Sequence, residues 1–360
     1  MFLARLACLA LLSFVSGCGT IGYYAQAIHG QCQILHRERP VQELLADPGT
    51  PAALKMRLTR ALAIREFAET DLRLPAHGHY RHYADLGRRY AVWTVSAAPE
   101  FSLGAKTWWY PVVGRLEYQG YFEEAKARRY ARGLAERGLD TQVGGVEAYS
   151  TLGWFRDPLL NTFLFEDELE LAELLFHELA HQRLFVAGDT EFNEAFATAV
   201  AEEGVERWLA ARGDPGWIAK QREGAGRKQV FLGLLGRARA RLGTLYGAGT
   251  EGCGCSCRGT PDCSCARMRR EKAAVFESLR ADYAAAKAAW GGNAEYDGWF
   301  AQPLNNAVLN TVDTYYSLVP SFRRRIEAAG GDLEEFYKAT ETLGKLKKRE
   351  RHRVLRNLPE

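Results

Sequence analysis

Histidine is scarce in this chain, with eight residues in 360. At that frequency a chance H-E-x-x-H has odds on the order of one per cent. An excess of either charge is also lacking: 47 Lys and Arg face 44 Asp and Glu, for a net charge of +3. That balance implies no nucleic acid or other polyanionic partner. Beyond residue 18 no stretch has the length or apolar purity of a membrane-spanning helix. Cysteine is missing from most of the sequence, and five of the eight lie between Cys253 and Cys265.

What is there is organised around residues 171–185, LAELLFHELAHQRLF, with His177, Glu178 and His181 in the order H-E-x-x-H. On a helix, positions four apart share a face, so the two imidazoles can aim at one point. Glu178 follows the first of them and sits beside that point. A hydrolytic zinc requires two such ligands and a base for the water at the metal. The alternative is an amphipathic core helix whose histidines make ordinary hydrogen bonds. Leu171, Leu174, Leu175, Leu179 and Phe185 supply the apolar face of a buried helix. Polar groups in such an element are costly without partners, and one shared metal ion accounts for all three.

A short connector follows, broken at Gly188. FNEAFATAVAEEGVERWL then runs apolar at helical spacing, with Asp189 or Thr190 as its N-cap. Two antiparallel helices joined by a short loop bring the start of the second near the end of the first. Glu194 is thus positioned to complete a His, His, Glu set with a fourth position open to water. Glu191, Glu202 and Glu203 compete with it, and the helix dipole alone favours a Glu near this N-terminus.

Residues 1–18 read as an export leader, with Arg5 ahead of an apolar core too short to span a membrane. Val15-Ser16-Gly17-Cys18 resembles a bacterial lipobox, with cleavage before Cys18 and lipid on its sulfur. Gly19 stands where an inner-membrane retention signal has Asp. By resemblance to lipoprotein sorting rules, that points to the outer membrane, facing the periplasm.

Residues 40–74 read as helical. Residues 75–82, PAHGHYRH, read as an exposed loop, because His77, His79 and His82 have no carboxylate base among them. Segments 90–96, 108–118 and 141–150 are strand-like, rich in Val, Trp, Tyr and Thr. A polar-faced helix over 122–137 precedes the last of them and stops at Gly138. Residues 154–158 form a turn into the zinc helix. Helical spacing returns over 230–246 and 268–290. The Cys cluster between them reads as a disulfide-tied surface loop in an oxidising compartment, with a soft-metal thiolate site as the second reading. The basic run 345–356 reads as a solvated terminal helix, with contact to an anionic membrane surface as the weaker alternative. The expected architecture is a mostly helical α+β chain. After the leader, one domain spans 19–360: a small sheet at about 90–150, zinc helices at about 167–211, a Cys-rich insert at about 250–266 and a helical C-terminal part.

HELAHQ at 177–182 followed by FNEAFA at 192–197 resembles the gluzincin metallopeptidases, whose third ligand is the Glu of an N-E-x-x-A segment. More closely, the chain is similar to the bacterial family of zinc aminopeptidases predicted to be lipoproteins. The similarity runs through GYYAQAIHGQ (22–31), YPVVGRLEYQGYF (110–122), AYSTLGWFRDPLLNT (148–162) and NNAVLNTVDTYYSLVPSF (305–322). It implies a gluzincin-like domain with a small sheet beside the zinc helix. It implies one zinc per chain on His177, His181 and Glu194, with Glu178 as the base that later protonates the leaving amine. Short peptides with a free N-terminus are the implied substrates. A metalloendopeptidase and a non-catalytic zinc-binding envelope lipoprotein are the alternatives.

In gluzincins an edge strand beside the zinc helix pairs with the extended substrate, and 141–150 is the candidate. Gly144-Gly145-Val146-Glu147 is similar to the G-x-M-E-N segment of the large zinc aminopeptidases. That similarity gives Glu147 the substrate's ammonium group; a solvent-facing strand Glu is the plain alternative. Those enzymes commonly use a Tyr hydroxyl at the oxyanion. Tyr315 is the first candidate and Tyr316 the second, each alternatively a packed core residue.

Overall fold

The computed structural model describes residues 22–110, 114–148, 156–213, 215–249 and 264–357. The leader with Cys18, Trp154 and Phe155 of the expected turn, and Cys253 to Cys263 lie outside the described residues. The chain is mostly helical, with three small sheets.

Helix α1 (residues 22–37) leads into β1 (Glu38–Pro40), α2 (Val41–Ala46) and α3 (Ala52–Thr70). The last of these buries Leu58, Ala61, Ile64, Arg65 and Ala68, a stripe at three- and four-residue spacing. Strand β2 (His82–Ala84) pairs with β1. The segment before it is not the exposed loop that its polarity suggests. His79 and Tyr80 are buried. His79 Nδ1 accepts from the Asp157 amide at 3.0 Å, and the Tyr80 amide donates to the Asp157 carbonyl at 2.7 Å. Polar side chains can enter a core when their hydrogen bonds are met there.

Strand β3 (Val92–Pro99) is the centre of the main sheet. It is followed by the hairpin β4 (Trp108–Tyr110) and β5 (Gly114–Leu116), then β6 (Tyr118–Tyr121), α4 (Glu124–Ala135) and β7 (Leu139–Val146). β6 and β7 flank β3, both antiparallel to it. Side chains alternate across this sheet. Val95 and Ala97 turn to one face and pack on Ala127, Ala131 and Leu134 of α4. Thr94 and Ser96 turn to the other, opposite Gly144 and Gln142 of β7. Gly138, at φ +83°, makes the turn from α4 into β7.

Strand β8 (Leu159–Leu160) joins β2 in parallel and runs into α5 (Asn161–Leu164), α6 (Glu168–Arg183) and α7 (Thr190–Arg212). Asp167 caps α6 by accepting from the Leu169 and Glu170 amides, and the Glu170 side chain accepts from the Asp167 amide. The connector to α7 turns at Gly188, at φ +79°, and Asn193 clamps both polar groups of Val186. Gly204 lets the helices close: a Cβ there would stand 2.7 Å from Phe176. Around this pair lies the main core, with Phe192, Phe196, Phe322, Phe336 and Tyr337 fully buried.

The remaining helices are α8 (Pro215–Gly249), α9 (Ser264–Ala289), α10 (Asp297–Ala301), α11 (Asn306–Tyr316), α12 (Val319–Ala328), α13 (Leu333–Gly344) and α14 (Lys348–Arg356). α8 and α9 share a second core, in which Tyr283 stacks on Phe300 and Phe231 on Tyr296. The basic run at 345–356 is not a merely solvated helix. Arg351 and Leu355 of α14 are buried, and Arg351 Nη2 lies 2.7 Å from Asp189, the N-cap of α7. His352 Nε2 lies 2.9 Å from the same carboxylate. A buried cap carboxylate needs a cation, and this helix supplies it.

Burial alone would raise the Asp189 carboxyl, but His352, Lys348 and Arg351 outweigh it and hold it at about 2. The contribution to stability is therefore present above the unfolded-state value of about 4 and is lost as pH falls towards 2. Asp189→Ala should cost about 3–5 kcal/mol by leaving a buried cation unpaired. In urea titrations the gap to wild type should narrow as pH drops from about 4 to 2. A surface-like cost of about 0.5 kcal/mol would show that α14 does not brace the α6–α7 connector.

Candidate metal centre

Three donor atoms converge at the α6–α7 bend. His177 Nε2 and His181 Nε2 are 3.2 Å apart, and Glu194 Oε2 lies 3.2 Å from the first and 3.5 Å from the second. Helix geometry supplies the imidazole pair, one turn apart on α6. The sharp connector supplies the carboxylate from the first turns of α7. Donors on a tetrahedral ion with bonds of about 2.0–2.1 Å stand about 3.3 Å apart. Two ring nitrogens facing each other at this separation also require a proton or a cation between them. The donor types and spacing therefore suit a tetrahedral first-row ion. Among the described residues this is the one group of His, Cys, Asp and Glu so arranged.

The competing carboxylates are engaged elsewhere. Glu191 accepts from Ser317 and Arg356, Glu202 from Lys228, and Glu203 from Arg207 and Arg323. Burial would raise the Glu194 carboxyl, but the two imidazoles outweigh it and hold it well below the usual carboxylate range. Burial would lower His181, but the Glu194 carboxylate outweighs that and pushes the ring up. The buried Nδ1 of His181 has no hydrogen-bond partner among the described residues. Glu178 shares the cavity, and burial pushes its carboxyl up despite the neighbouring imidazoles.

That cavity has a volume of about 530 Å³. One wall is the face of the main sheet, from Thr94 and Ser96 to Gln142, Gly144 and Val146. β7 is the outer strand of that sheet, and Gly144 and Gly145 both line the cavity. Glu147 does not line it. Its carboxyl lies in the field of Arg89 and Glu170, and burial pushes it up.

Tyr316 is likewise elsewhere. Its ring lies under Lys228, with Nζ 4.6 Å from the centroid, and lines a separate cavity of about 790 Å³ beside α8. The Tyr315 side chain lies outside the description. Sequence reasoning missed Glu117, Tyr23 and Tyr110, which also line the cavity that holds His177 and His181. Glu117 stands between β5 and β6, inside the 110–122 segment that carries the family resemblance but with no spacing that gives it a role. Tyr23 and Tyr110 face each other across 87 sequence positions, hydroxyl to hydroxyl at 3.4 Å, a pairing invisible to local pattern.

The fold and the site together define a helix-rich α+β protein with a His, His, Glu cluster in a cleft beside an antiparallel sheet. A family model described as "Putative aminopeptidase" matches residues 22–355, and the chain belongs to that family. The family's description points to a peptidase, and so to a hydrolase. No curated protein and no solved structure matches the chain.

The cavity wall makes a differential prediction. A Cβ on Gly145 would stand 2.4 Å from the Tyr90 ring, whereas one on Gly144 would meet only the mobile end of Gln142 at 3.0 Å and Thr94 at 3.6 Å. Gly145→Ala should destabilise by about 1–3 kcal/mol in thermal melts, and Gly144→Ala by much less. Equal costs would mean that the Tyr90 ring does not lie over Gly145.

Proposed function

We propose that this protein is a zinc-dependent peptidase, and specifically an aminopeptidase of short peptides. The observation that supports it best is the triangle of His177, His181 and Glu194 donors, with edges of 3.2, 3.2 and 3.5 Å. In this reading those three side chains hold one zinc ion per chain. When bound there, zinc supplies a Lewis acid that makes a water acidic near neutral pH and polarises a carbonyl.

The chain's own residues do the rest. Glu178 takes a proton from the attacking water onto its carboxylate and later gives it to the leaving amine. A carboxyl pushed up by burial is better suited to that exchange than an ordinary surface Glu. The outer strand β7 offers main-chain groups to an extended peptide, and such hydrogen bonding tolerates any side chain. Glu117 takes the role that the sequence assigned to Glu147. It is the third carboxylate that lines the cavity, beside Glu178 and Glu194, and by accepting a charge-assisted hydrogen bond it fixes the substrate's ammonium group. Cys18 carries lipid, holding the enzyme in the outer membrane with its cleft in the periplasm.

Glu178→Gln should retain one zinc per chain by metal analysis while kcat/KM on a peptide panel falls about 10²–10⁴-fold. Wild type without chelator-sensitive cleavage of any panel member would leave a zinc-binding protein without turnover. Glu117→Gln should reduce the preference for free over N-acetylated peptides about 10–100-fold, the value of one hydrogen bond to a charged group. Wild type cleaving both forms equally would instead indicate an endopeptidase.

A further inference from the structure

Helix α1 is buried on one side and carries exposed apolar residues on another. Gln26, Gly30 and Ile34 face inward and are buried. Tyr24, Ile28 and Leu35 form a second stripe at four- and seven-residue spacing, which is one helical face. That face is open: Ile28 is 64% exposed, Tyr24 37% and Leu35 38%, with exposed Cys32 between the last two. Tyr24 joins the stripe to a shallow groove shared with Trp109, itself 64% exposed. Lys126, Arg129 and Arg137 line the same groove, and no carboxylate does among the described residues. Lys126 is paired with Glu123, and Arg129 and Arg137 are exposed.

From this arrangement we infer that the α1–Trp109 face docks on the surface of an anionic phospholipid bilayer. The position of the tether supports that occupant. Three residues lie between Cys18 and Gly22, so over these four chain steps a lipid on Cys18 keeps the start of α1 within about 14 Å of the membrane. Tyr and Trp favour the water–bilayer boundary, an apolar helical stripe can lie in that plane, and Arg is attracted to anionic headgroups. Lipid supplies the anchoring, and the face supplies orientation. Tyr23, the neighbour of Tyr24, lines both this groove and the cavity that holds His177 and His181. Docking therefore fixes the cleft at a set height over the bilayer. The inference rests on the lipidation proposed for Cys18, not on peptidase activity.

The described fold begins at residue 22, so an unlipidated chain of residues 19–360 tests the surface alone. It should sediment with vesicles of phosphatidylethanolamine and phosphatidylglycerol, more weakly with pure phosphatidylcholine, and less as salt rises. Ile28→Glu combined with Leu35→Glu, and Trp109→Ala separately, should each lower the partition coefficient roughly ten-fold while melting temperature and zinc content stay unchanged. In the lipidated full-length product on the same vesicles, hydrogen exchange should slow over residues 22–37 and not over 215–249. No vesicle binding by the unlipidated chain, or binding indifferent to these substitutions, overturns the inference. So does a dimer, seen by light scattering, that Ile28→Glu dissolves, because a second copy would then cover the face. Mass spectrometry of Cys18 reads the anchor separately, and an unmodified thiol in the exported protein removes the reason for orientation. None of these readouts uses hydrolysis, so failure here is distinct from failure of the peptidase reading.

Discussion

The structure depends on how closely α6 and α7 are held at their bend. Convergence of three donors at 3.2–3.5 Å tolerates little error, because donors moved by an ångström could not share one cation. Four local devices set that closeness. Gly188 turns the chain, Asn193 clamps Val186, Gly204 lets Phe176 approach, and Asp189 caps α7. The last device is tied to the C-terminus through Arg351, so residues 162 positions apart brace the same bend. A rigid helix pair supported in this way suits a preorganised site better than a loop would.

The second constraint is the two-faced sheet. Alternation along β3 and β7 sends one set of side chains into the α4 core and the other into the cleft. The cleft face is lined with small or polar residues such as Thr94, Ser96 and Gly144, which leave room for a ligand. Glu147, just beyond the end of β7, does not line the cavity, whereas Glu117, between β5 and β6, does. Electrostatics follow the geometry: Glu194 and Asp189, hydrogen-bonded directly to imidazole or guanidinium groups, are held down, while Glu178 and Glu147, where burial outweighs the cations nearby, are pushed up.

Much of this was legible beforehand. The helix pair, the Asp189 cap between them, the strands within 90–96 and from 141 to 146 and the convergence of His177 with His181 follow from periods and end signals over short windows. Glu194 was favoured from the short connector alone, but that its rivals Glu191, Glu202 and Glu203 each pair with a cation from another helix was not legible, because those partners lie far along the chain. The burial of His79 and Tyr80 was missed because their partner, Asp157, lies 78 residues from His79. The C-terminal helix was misjudged for a similar reason: its charge was visible, and the buried carboxylate that receives it was not. Tyr316 shows the limit most plainly. Its residue type suited an oxyanion role, but its helix turns it towards Lys228.

By itself the sequence determined the local elements and the pair of imidazoles one turn apart, because helix period and capping act between residues a few positions from each other. The tertiary structure alone decided which carboxylates enter the cleft, which Tyr does not, and which cation holds Asp189. Those choices depend on contacts between distant segments, where burial and pairing fix a side chain's place and nothing in its neighbours along the chain records the outcome.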